Sequence, residues 1–307
     1  PISKLPPLCP GPWLLGCTAR MDDSEENLFL RLQDSEGIAE VHDLLGTGSF
    51  SFVFRCTVHG LDEPVAVKVL KNKDMLPGRG RESEFIQGLR HPNLVNVLGI
   101  FEGDVHYVIL ELCEGGSLQD VIHRDGSLWP TVPLAHRLRA GYDIAAALDF
   151  LHQQDILHRD VKSGNAFLLT PLQEGEAIPT VKLGDMGFAR PVSDFDMMTQ
   201  GVGTLRYMAP EVLNSGEYNC QADVFSFGIL LHEILSGEIP FGSRNEASLC
   251  LLIMGGHRPP EEAIPPDFGD QDRHNQLWAI LQACWAEDAD ERPTAGGAAG
   301  LIHGLLC

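Results

Sequence analysis

The chain of 307 residues is 44% apolar and 21% charged, a composition typical of a soluble globular protein that forms one large domain or two lobes. Its 43 acidic residues against 22 basic residues give a formal charge of −21, which argues against nucleic acid or an anionic membrane surface as the main partner. No apolar run approaches the roughly 20 residues of a membrane-spanning helix, so we expect no membrane segment in this chain.

The eight cysteines form no Cys-x-x-Cys pair and show no cysteine–histidine spacing typical of a zinc site. Free thiols in a reducing compartment are therefore expected, which favours the cytoplasm, with the nucleus as an alternative. Because the chain begins at Pro1 rather than methionine, it can also be the intracellular part of a longer chain.

Residues 1–37 are rich in proline and acidic residues, which predicts a flexible extension with one short amphipathic piece at Asn27–Gln33. From Ile38 the pattern changes to short β-branched runs joined by turns. We therefore expect the folded domain to cover residues 38–307.

A hairpin with a glycine-rich turn is predicted first, with strands at Val41–Leu45 and Phe52–Val58 around Gly46–Ser51. The next strand, Pro64–Leu70, carries one lysine, Lys68. Glycines let backbone amides approach a phosphate, and a lysine one strand later can reach the same phosphates. A hairpin turn needs glycine in any case, so the turn indicates a nucleotide only in combination with Lys68.

A helix is predicted at Arg81–Leu89, where Glu82 shares the inward face with Phe85, Ile86 and Leu89. A carboxylate directed toward a core needs a cationic partner, and Lys68 is the one charged residue of the preceding strand. The alternative is that Glu82 is solvated at the start of the helix.

Two lobes are predicted. Strands at Leu94–Phe101 and Val105–Leu112 complete a β-rich lobe of residues 38–112, and residues 113–307 form a mainly helical lobe. Helical periodicity marks five segments of the second lobe: Leu118–His123, Ala135–Gln153, Asp223–Ser236, Ala247–Met254 and Asn275–Trp285. A cleft between two lobes is the usual site for a small-molecule cofactor.

A short polar loop, His158–Asn165, lies between apolar runs in the second lobe. It places the carboxylate of Asp160, the ammonium group of Lys162 and the amide of Asn165 close together in sequence. Loops between rigid elements often carry reactive groups, although a solvated surface turn has the same composition.

The motifs taken together resemble a eukaryotic protein kinase domain over about residues 38–307. The resemblance rests on six motifs in order: Gly46-x-Gly48-x-x-Ser51-x-Val53, Val65-Ala66-Val67-Lys68, Glu82, His158-Arg159-Asp160 with Asn165, Asp185-Met186-Gly187 and Ala209-Pro210-Glu211. Lys162, residues 203–208, Cys284-Trp285 and Arg292-Pro293 resemble the tyrosine kinase-like group of serine/threonine kinases. The fold class implied is α+β and bilobal, with a small β-rich N-lobe carrying one regulatory helix and a larger, mainly α-helical C-lobe.

The resemblance implies a role for each motif residue in phosphoryl transfer, which depends on positioning and charge neutralisation. Asp160 would accept the proton of the substrate hydroxyl, Lys162 would sit beside the γ-phosphate, and Lys68, oriented by Glu82, would hold the α- and β-phosphates. Asn165 and Asp185 would bind Mg²⁺, with Mn²⁺ as an alternative. The implied ATP-binding residues are Gly46, Thr47, Gly48, Ser49, Val53, Ala66, Lys68, Glu111, Cys113, Asp120 and Phe167.

Within this pattern Glu111 and Cys113 would meet the adenine through their backbone groups, and Asp120 would contact the ribose. Ser193 and Thr199 are candidate phosphorylation sites in the activation segment, although both hydroxyls can be ordinary loop residues. Glu211, Arg292 and Asp223 match structural positions.

Three residues depart from the family pattern. Ser51 stands in place of the third glycine, Met186 in place of the phenylalanine of Asp-Phe-Gly, and Phe225 in place of a tryptophan. None of these changes removes a charged catalytic group. The expected function is therefore ATP-dependent phosphorylation of serine or threonine in protein substrates, in signalling. The alternatives are a kinase-fold scaffold without turnover and a dual-specificity or tyrosine kinase.

Overall fold

The computed structural model describes residues 25–35, 37–48, 51–71, 86–103, 105–185, 190–191, 205–215, 218–266 and 271–307. An antiparallel five-stranded sheet forms the N-lobe, with strand order β1-β2-β3-β5-β4. Its strands are β1 (Ile38–Thr47), β2 (Ser51–Val58), β3 (Val65–Leu70), β4 (Val97–Phe101) and β5 (Tyr107–Leu110).

The two faces of this sheet differ because side chains alternate along each strand. Val67, Val69 and Phe54 point to one face and are at most 1% exposed in an apolar cluster. Lys68 and its neighbour Val53 on β2 therefore point to the other face, toward the C-lobe.

A helix upstream of the sheet covers its apolar face. This helix, α1 (Glu25–Gln33), buries Leu28 and Leu32 against the sheet, and the Phe29 ring packs edge-on to Phe54 at 5.8 Å between centroids. The prediction of a flexible extension up to residue 37 is therefore wrong for Glu25–Gln33, and the short amphipathic piece in that segment is a docked helix. Its apolar residues recur at i and i+4, so burial on one face stabilises a helix too short to persist alone.

The C-lobe is built from helices around one core. They are α2 (Leu134–His152), α3 (Pro210–Ser215), α4 (Cys220–Ser236), α5 (Glu246–Met254), α6 (Gln271–Cys284) and α7 (Ala295–Leu306). A π-helical turn covers Asp120–Asp125. Every residue of α4 from Ala222 to Leu235 is buried, as expected for a helix that is apolar on all sides. The α+β bilobal fold class is confirmed.

The last helix was not predicted, because the sequence of α7, AGGAAGLIHGLL, contains four glycines. Small residues let α7 approach α2 closely, and a Cβ on Gly296 would collide with the Asp149 carboxylate. Close packing therefore overrides the low helix propensity of glycine here.

Short strand pairs in the C-lobe place the loops of the cleft. β7 (Ala166–Leu168) pairs with β8 (Val181–Leu183), and residues 171–179 connect them as the predicted lengthened hairpin loop. β6 (Ile156–Leu157) pairs with β9 (Arg190–Pro191).

The two lobes meet at the segment after β5. The amide groups of Glu114 and Gly115 donate to the carbonyl oxygens of Leu169 and Leu168, so the chain joins the C-lobe at once. A Cβ on Gly115 would collide with the Thr170 carbonyl oxygen, which explains why glycine is required there. Within the described ranges, none of the helices is long and apolar enough to cross a membrane.

Candidate active site

The floor of the N-lobe half of the cleft is one face of the sheet. Antiparallel register places Val53 opposite Lys68 and Ala66 opposite Leu110, so these side chains share the face away from the α1 cluster. Ala66 is buried, and Val53 is half-buried. The predicted nucleotide-contacting residues of β2 and β3 therefore lie on the cleft side.

Hydrogen bonds close the glycine-rich turn at its base. Gly48 donates its amide to the Ser51 carbonyl oxygen at 2.8 Å, and Lys71 Nζ donates to the Gly48 carbonyl oxygen at 2.8 Å. Lys71 also lies 4.4 Å from the centroid of the Phe52 ring. Gly46 and Thr47 end β1 at this turn. Sequence reasoning missed Lys71, whose contact could not be read from its position after the strand.

In the loop His158–Asn165, which we call the catalytic loop, Lys162 and Asn165 both contact the carboxylate of Asp160. Lys162 Nζ donates to both oxygens of Asp160, at 2.9 and 2.7 Å, and Asn165 Nδ2 donates to Asp160 Oδ2 at 2.8 Å. Asp160 is only 5% exposed, so these charge-assisted bonds act at low dielectric. The structure thus brings together the three polar residues of this loop.

Both ring nitrogens of His158 form hydrogen bonds. Its Nε2 donates to the Gly184 carbonyl oxygen at 2.9 Å, which leaves Nδ1 as the acceptor for the Asp160 amide at 3.3 Å. Since neither nitrogen is directed at a substrate, His158 orients the loop and is not a base.

Asp223, at the start of α4, anchors the same loop from below. Its carboxylate accepts the amides of His158 and Arg159 at 2.8 and 2.9 Å. It also accepts His152 Nε2 at 2.9 Å and the Tyr218 hydroxyl at 3.0 Å. Arg159 has φ of +67°, a left-handed conformation that such external bonds must hold.

Lys68 of β3 forms an ion pair with Asp185, immediately after β8. Burial by itself would raise the pKa of the Asp185 carboxyl, but the charge and hydrogen bond of Lys68, with smaller effects of His158 and Lys162, lower that pKa. Asp185 is therefore ionised at neutral pH. Glu82, the predicted partner of Lys68, lies outside the described residues.

The side-chain oxygens of Asn165 and Asp185 are of a chemical type that suits a hard divalent cation. Asn165 donates through its side-chain Nδ2 to Asp160, so its side-chain oxygen points elsewhere. The backbone amide of Gly184, the residue before Asp185, donates to the Asn165 backbone oxygen at 2.8 Å. Carboxylate and amide oxygens are the protein ligands that Mg²⁺ and Mn²⁺ accept. The roles of Asn165 and Asp185 as metal ligands stay predictions.

A polar cluster around the buried Lys182 lies at the segment that joins the lobes. Glu111 Oε2 accepts Asn96 Nδ2 at 2.7 Å and Lys182 Nζ at 3.1 Å, and Lys182 is only 5% exposed. Burial, reinforced by the Glu111 carboxylate, raises the pKa of the Cys113 thiol to about 12, so this thiol stays protonated. Sequence reasoning missed Asn96 and Lys182, which contact Glu111 only through the fold.

Two other predicted ATP contacts have identifiable neighbours. Asp120 accepts the Ser117 hydroxyl at 2.7 Å and pairs with Arg124 at 3.1 Å, and its side chain is 44% exposed. Phe167 is half-buried and packs against Gly184, the residue before Asp185. The ribose and adenine roles of these residues stay predictions.

A second polar network connects the catalytic loop to α4. Glu233 accepts Ser163 Oγ at 2.8 Å, the Tyr207 hydroxyl at 2.6 Å and His123 Nε2 at 2.8 Å. Burial, followed by the charge of Glu233, raises the pKa of Tyr207 well above its usual value, so the phenol remains a donor. This network was not predicted, although an ionisable residue inside the apolar run of α4 could have indicated it.

The predicted structural residues are placed as expected. Arg292 forms two bonds with the Glu211 carboxylate, at 2.6 and 2.9 Å. Phe225 is fully buried, and the guanidinium groups of Arg258 and Arg292 lie over its ring, at 4.9 and 5.1 Å from the centroid. Ser49, Met186, Ser193 and Thr199, which the sequence analysis singled out, lie outside the described ranges.

Comparison with known proteins agrees with this geometry. The protein kinase domain family matches residues 39–301. The chain is 30% identical over 273 residues to serine/threonine-protein kinase STY17 and 31% identical over 274 residues to serine/threonine-protein kinase CTR1, both of Arabidopsis thaliana. It is also 31% identical over 269 residues to the proto-oncogene tyrosine-protein kinase ROS of Mus musculus.

These alignments cover 87%, 87% and 82% of the chain but only 44%, 31% and 11% of the respective relatives. The chain thus spans less than half the length of each of the three. Named serine/threonine kinases are among the relatives, as the motif resemblance implies. The family match spans both lobes and all the motifs, and on that basis the chain belongs to the protein kinase family.

Proposed function

We propose that this kinase domain transfers the γ-phosphate of ATP to serine or threonine hydroxyls of protein substrates. The observation that carries the proposal is Lys162 Nζ, which bridges both oxygens of Asp160. A lysine at this position resembles serine/threonine kinases, and STY17 and CTR1 carry that name. ROS is named a tyrosine kinase, so tyrosine transfer is the second candidate.

Asp160 is the residue that accepts the substrate proton. Each carboxylate oxygen can accept more than one hydrogen bond, so the donors from Lys162 and Asn165 still allow one from a substrate hydroxyl. Lys162 fixes the carboxylate and carries positive charge to the point where negative charge develops. MgATP, when bound, supplies the phosphoryl group and a divalent cation, and Asn165 and Asp185 would hold that cation.

Lys68 orients Asp185 and offers positive charge to the phosphates. Lys68→Met is expected to lower kcat/KM for ATP by about a hundredfold, because the half-buried carboxylate of Asp185 loses its counter-ion and the phosphates lose a cation. The pKa of Asp185 should also rise, since burial then acts without the opposing charge. Steady-state kinetics with varied ATP measures the effect.

Lys68→Arg is the matched variant for this change. It keeps the charge, and we expect an intermediate loss because the guanidinium group has a different shape. Unchanged ATP affinity and turnover in Lys68→Met would contradict the assignment of this lysine.

Phosphoamino-acid analysis tests the proposed reaction. Purified protein incubated with labelled ATP and Mg²⁺ should yield phosphoserine or phosphothreonine on itself or on a generic protein substrate. Phosphotyrosine would support the second candidate. Absence of transfer with either Mg²⁺ or Mn²⁺, together with retained ATP binding, would instead support a kinase-fold scaffold.

We also propose that the domain works in the cytoplasm or nucleus. Cys56 and Cys284 are buried free thiols, and burial raises the pKa of each to about 12. Such thiols fit a reducing compartment. Fluorescence imaging of the tagged full-length protein tests this proposal.

A further inference from the structure

Two arginines converge on one loop between α4 and α5. Arg206 Nη1 donates to the carbonyl oxygens of Pro240, at 2.9 Å, and Gly242. Arg244 Nε donates to the Phe241 carbonyl oxygen at 2.8 Å. We call Arg206 and Arg244 on this loop the two-arginine patch.

The bonds of both arginines leave their charges uncompensated. All three acceptors are neutral carbonyls, and within the described ranges neither guanidinium group has a carboxylate at ion-pair distance. Glu238 and Glu246, the acidic residues nearest to this loop in sequence, are exposed and form no ion pair with either arginine, and Glu211, five residues after Arg206, pairs with Arg292. Arg206 is half-buried and Arg244 is exposed, so both charges are accessible.

Each arginine also keeps a two-donor edge. Arg206 uses only Nη1 for its carbonyl bonds, so the edge formed by Nε and Nη2 remains available. Arg244 uses Nε and keeps the edge formed by its two terminal nitrogens. Two parallel N–H donors match the oxygens of a carboxylate or phosphate.

The patch is held next to the catalytic loop. Tyr207, adjacent to Arg206, has its hydroxyl 3.1 Å from Ser163 Oγ, and Ser163 lies three residues after Asp160. Ser226 Oγ donates to the Tyr207 carbonyl oxygen at 2.7 Å, which fixes the backbone beside Arg206. An extended peptide whose hydroxyl reaches Asp160 can therefore reach Arg206 within a few residues.

The net negative charge of the chain does not prevent local attraction of an anion. Exposed charges are screened beyond about 8 Å at physiological salt, so the nearest groups decide the interaction. Because Glu238 and Glu246 lie in or beside the same loop, the two guanidinium groups attract only an anion that binds directly to their two-donor edges.

We propose that the two-arginine patch binds an acidic or phosphorylated side chain of the substrate, a few residues from the hydroxyl that is phosphorylated. The patch thereby selects acidic peptides in a protein whose surface charge would otherwise repel them. This inference rests on the proposed kinase function.

Peptide kinetics tests the proposal. A set of serine peptides with alanine flanks carries aspartate or phosphoserine at each neighbouring position in turn. For wild type, we expect kcat/KM to rise about fivefold over alanine at one or two of these positions, the size of a half-exposed charge pair. The Arg206→Gln/Arg244→Gln double variant should lose this gain and keep kcat/KM for the all-alanine peptide.

Arg90→Gln is the matched control. Arg90 is also exposed and bonded only to carbonyl oxygens, those of Gln87 and Leu89, each at 2.7 Å, but it lies in the N-lobe. The variant should keep the acidic preference. Phosphoserine peptides that outperform aspartate peptides would identify a phosphate as the preferred anion, whereas equal gains would identify any carboxylate or phosphate.

Two results would overturn the proposal. One is a wild-type enzyme indifferent to acidic residues at every position, and the other is an acidic preference retained by the double variant. Binding of fluorescent peptides with alanine in place of the acceptor serine, followed by anisotropy, needs no catalysis. Tighter binding of acidic peptides in this assay, lost in the double variant, would support the patch even if phosphoryl transfer failed.

Discussion

Asp160→Asn is expected to lower kcat by about a thousandfold while ATP affinity changes little, because a positioned general base contributes this order of rate. Asparagine has nearly the same shape, so Lys162 and Asn165 keep a partner at the same place. It has no basic oxygen to take the hydroxyl proton, and it removes the negative charge that holds Lys162. Stopped-time phosphorylation assays and ATP titration by fluorescence measure the two quantities.

Asp155→Asn is the matched control for this change. Asp155 is exposed, has φ of +56°, and follows the end of α2 outside the cleft. Asparagine tolerates a positive φ, so kcat should not change. Loss of ATP binding in Asp160→Asn would contradict the role assigned to Asp160, since none of its described contacts is with the glycine-rich turn.

Motif spacing was sufficient to predict the polar groups of the catalytic loop and the cleft face of the sheet. Asp160, Lys162 and Asn165 lie within six residues, so their proximity follows from local geometry. Lys68 and Val53 face the cleft because the strand alternation fixes their side.

Contacts between distant segments were not predictable from the same patterns. Glu233 joins Ser163, Tyr207 and His123 across 26 to 110 residues of sequence, and Lys182 reaches Glu111 across 71 residues. A charged residue in an apolar run indicates that a partner exists, but only packing determines which one. For α1 the difficulty was different, since its two buried leucines form a pattern too short to separate a docked helix from an exposed one.

Asp223 carries the largest expected effect on stability. Asp223→Asn is expected to lower the free energy of unfolding by about 3–5 kcal/mol, the range for breaking a buried charged network. Four donors point at the two carboxylate oxygens, and an asparagine Nδ2 cannot accept from two of them. The melting temperature should fall by roughly 10 °C, measured by differential scanning calorimetry.

Activity should fall with stability in this variant, because the Asp223 bonds hold the left-handed Arg159 beside Asp160. Asp143→Asn separates the two effects. Asp143 is also a buried carboxylate, 2% exposed, bonded to Arg139 and the Val181 amide away from the catalytic loop. The Asp143→Asn variant should lose stability, but its folded fraction should keep the wild-type kcat. An Asp223→Asn enzyme with the full wild-type kcat would show that the bonds of Asp223 are not needed for catalysis.

The pH dependence gives an independent test of the Asp223 assignment. Burial would raise the pKa of Asp223, but the hydrogen bond and charge of His152, followed by His158, lower it below the ordinary value. Its contribution to stability is therefore fully present above the unfolded pKa of about 3.9 and is lost as pH falls through the lower folded pKa. Urea unfolding of wild type and Asp223→Asn should show a stability difference that is constant near neutral pH and shrinks below about pH 4. If the stability difference instead grew on acidification, the folded protein would favour protonated Asp223. The ionised carboxylate would then not be the acceptor in this network.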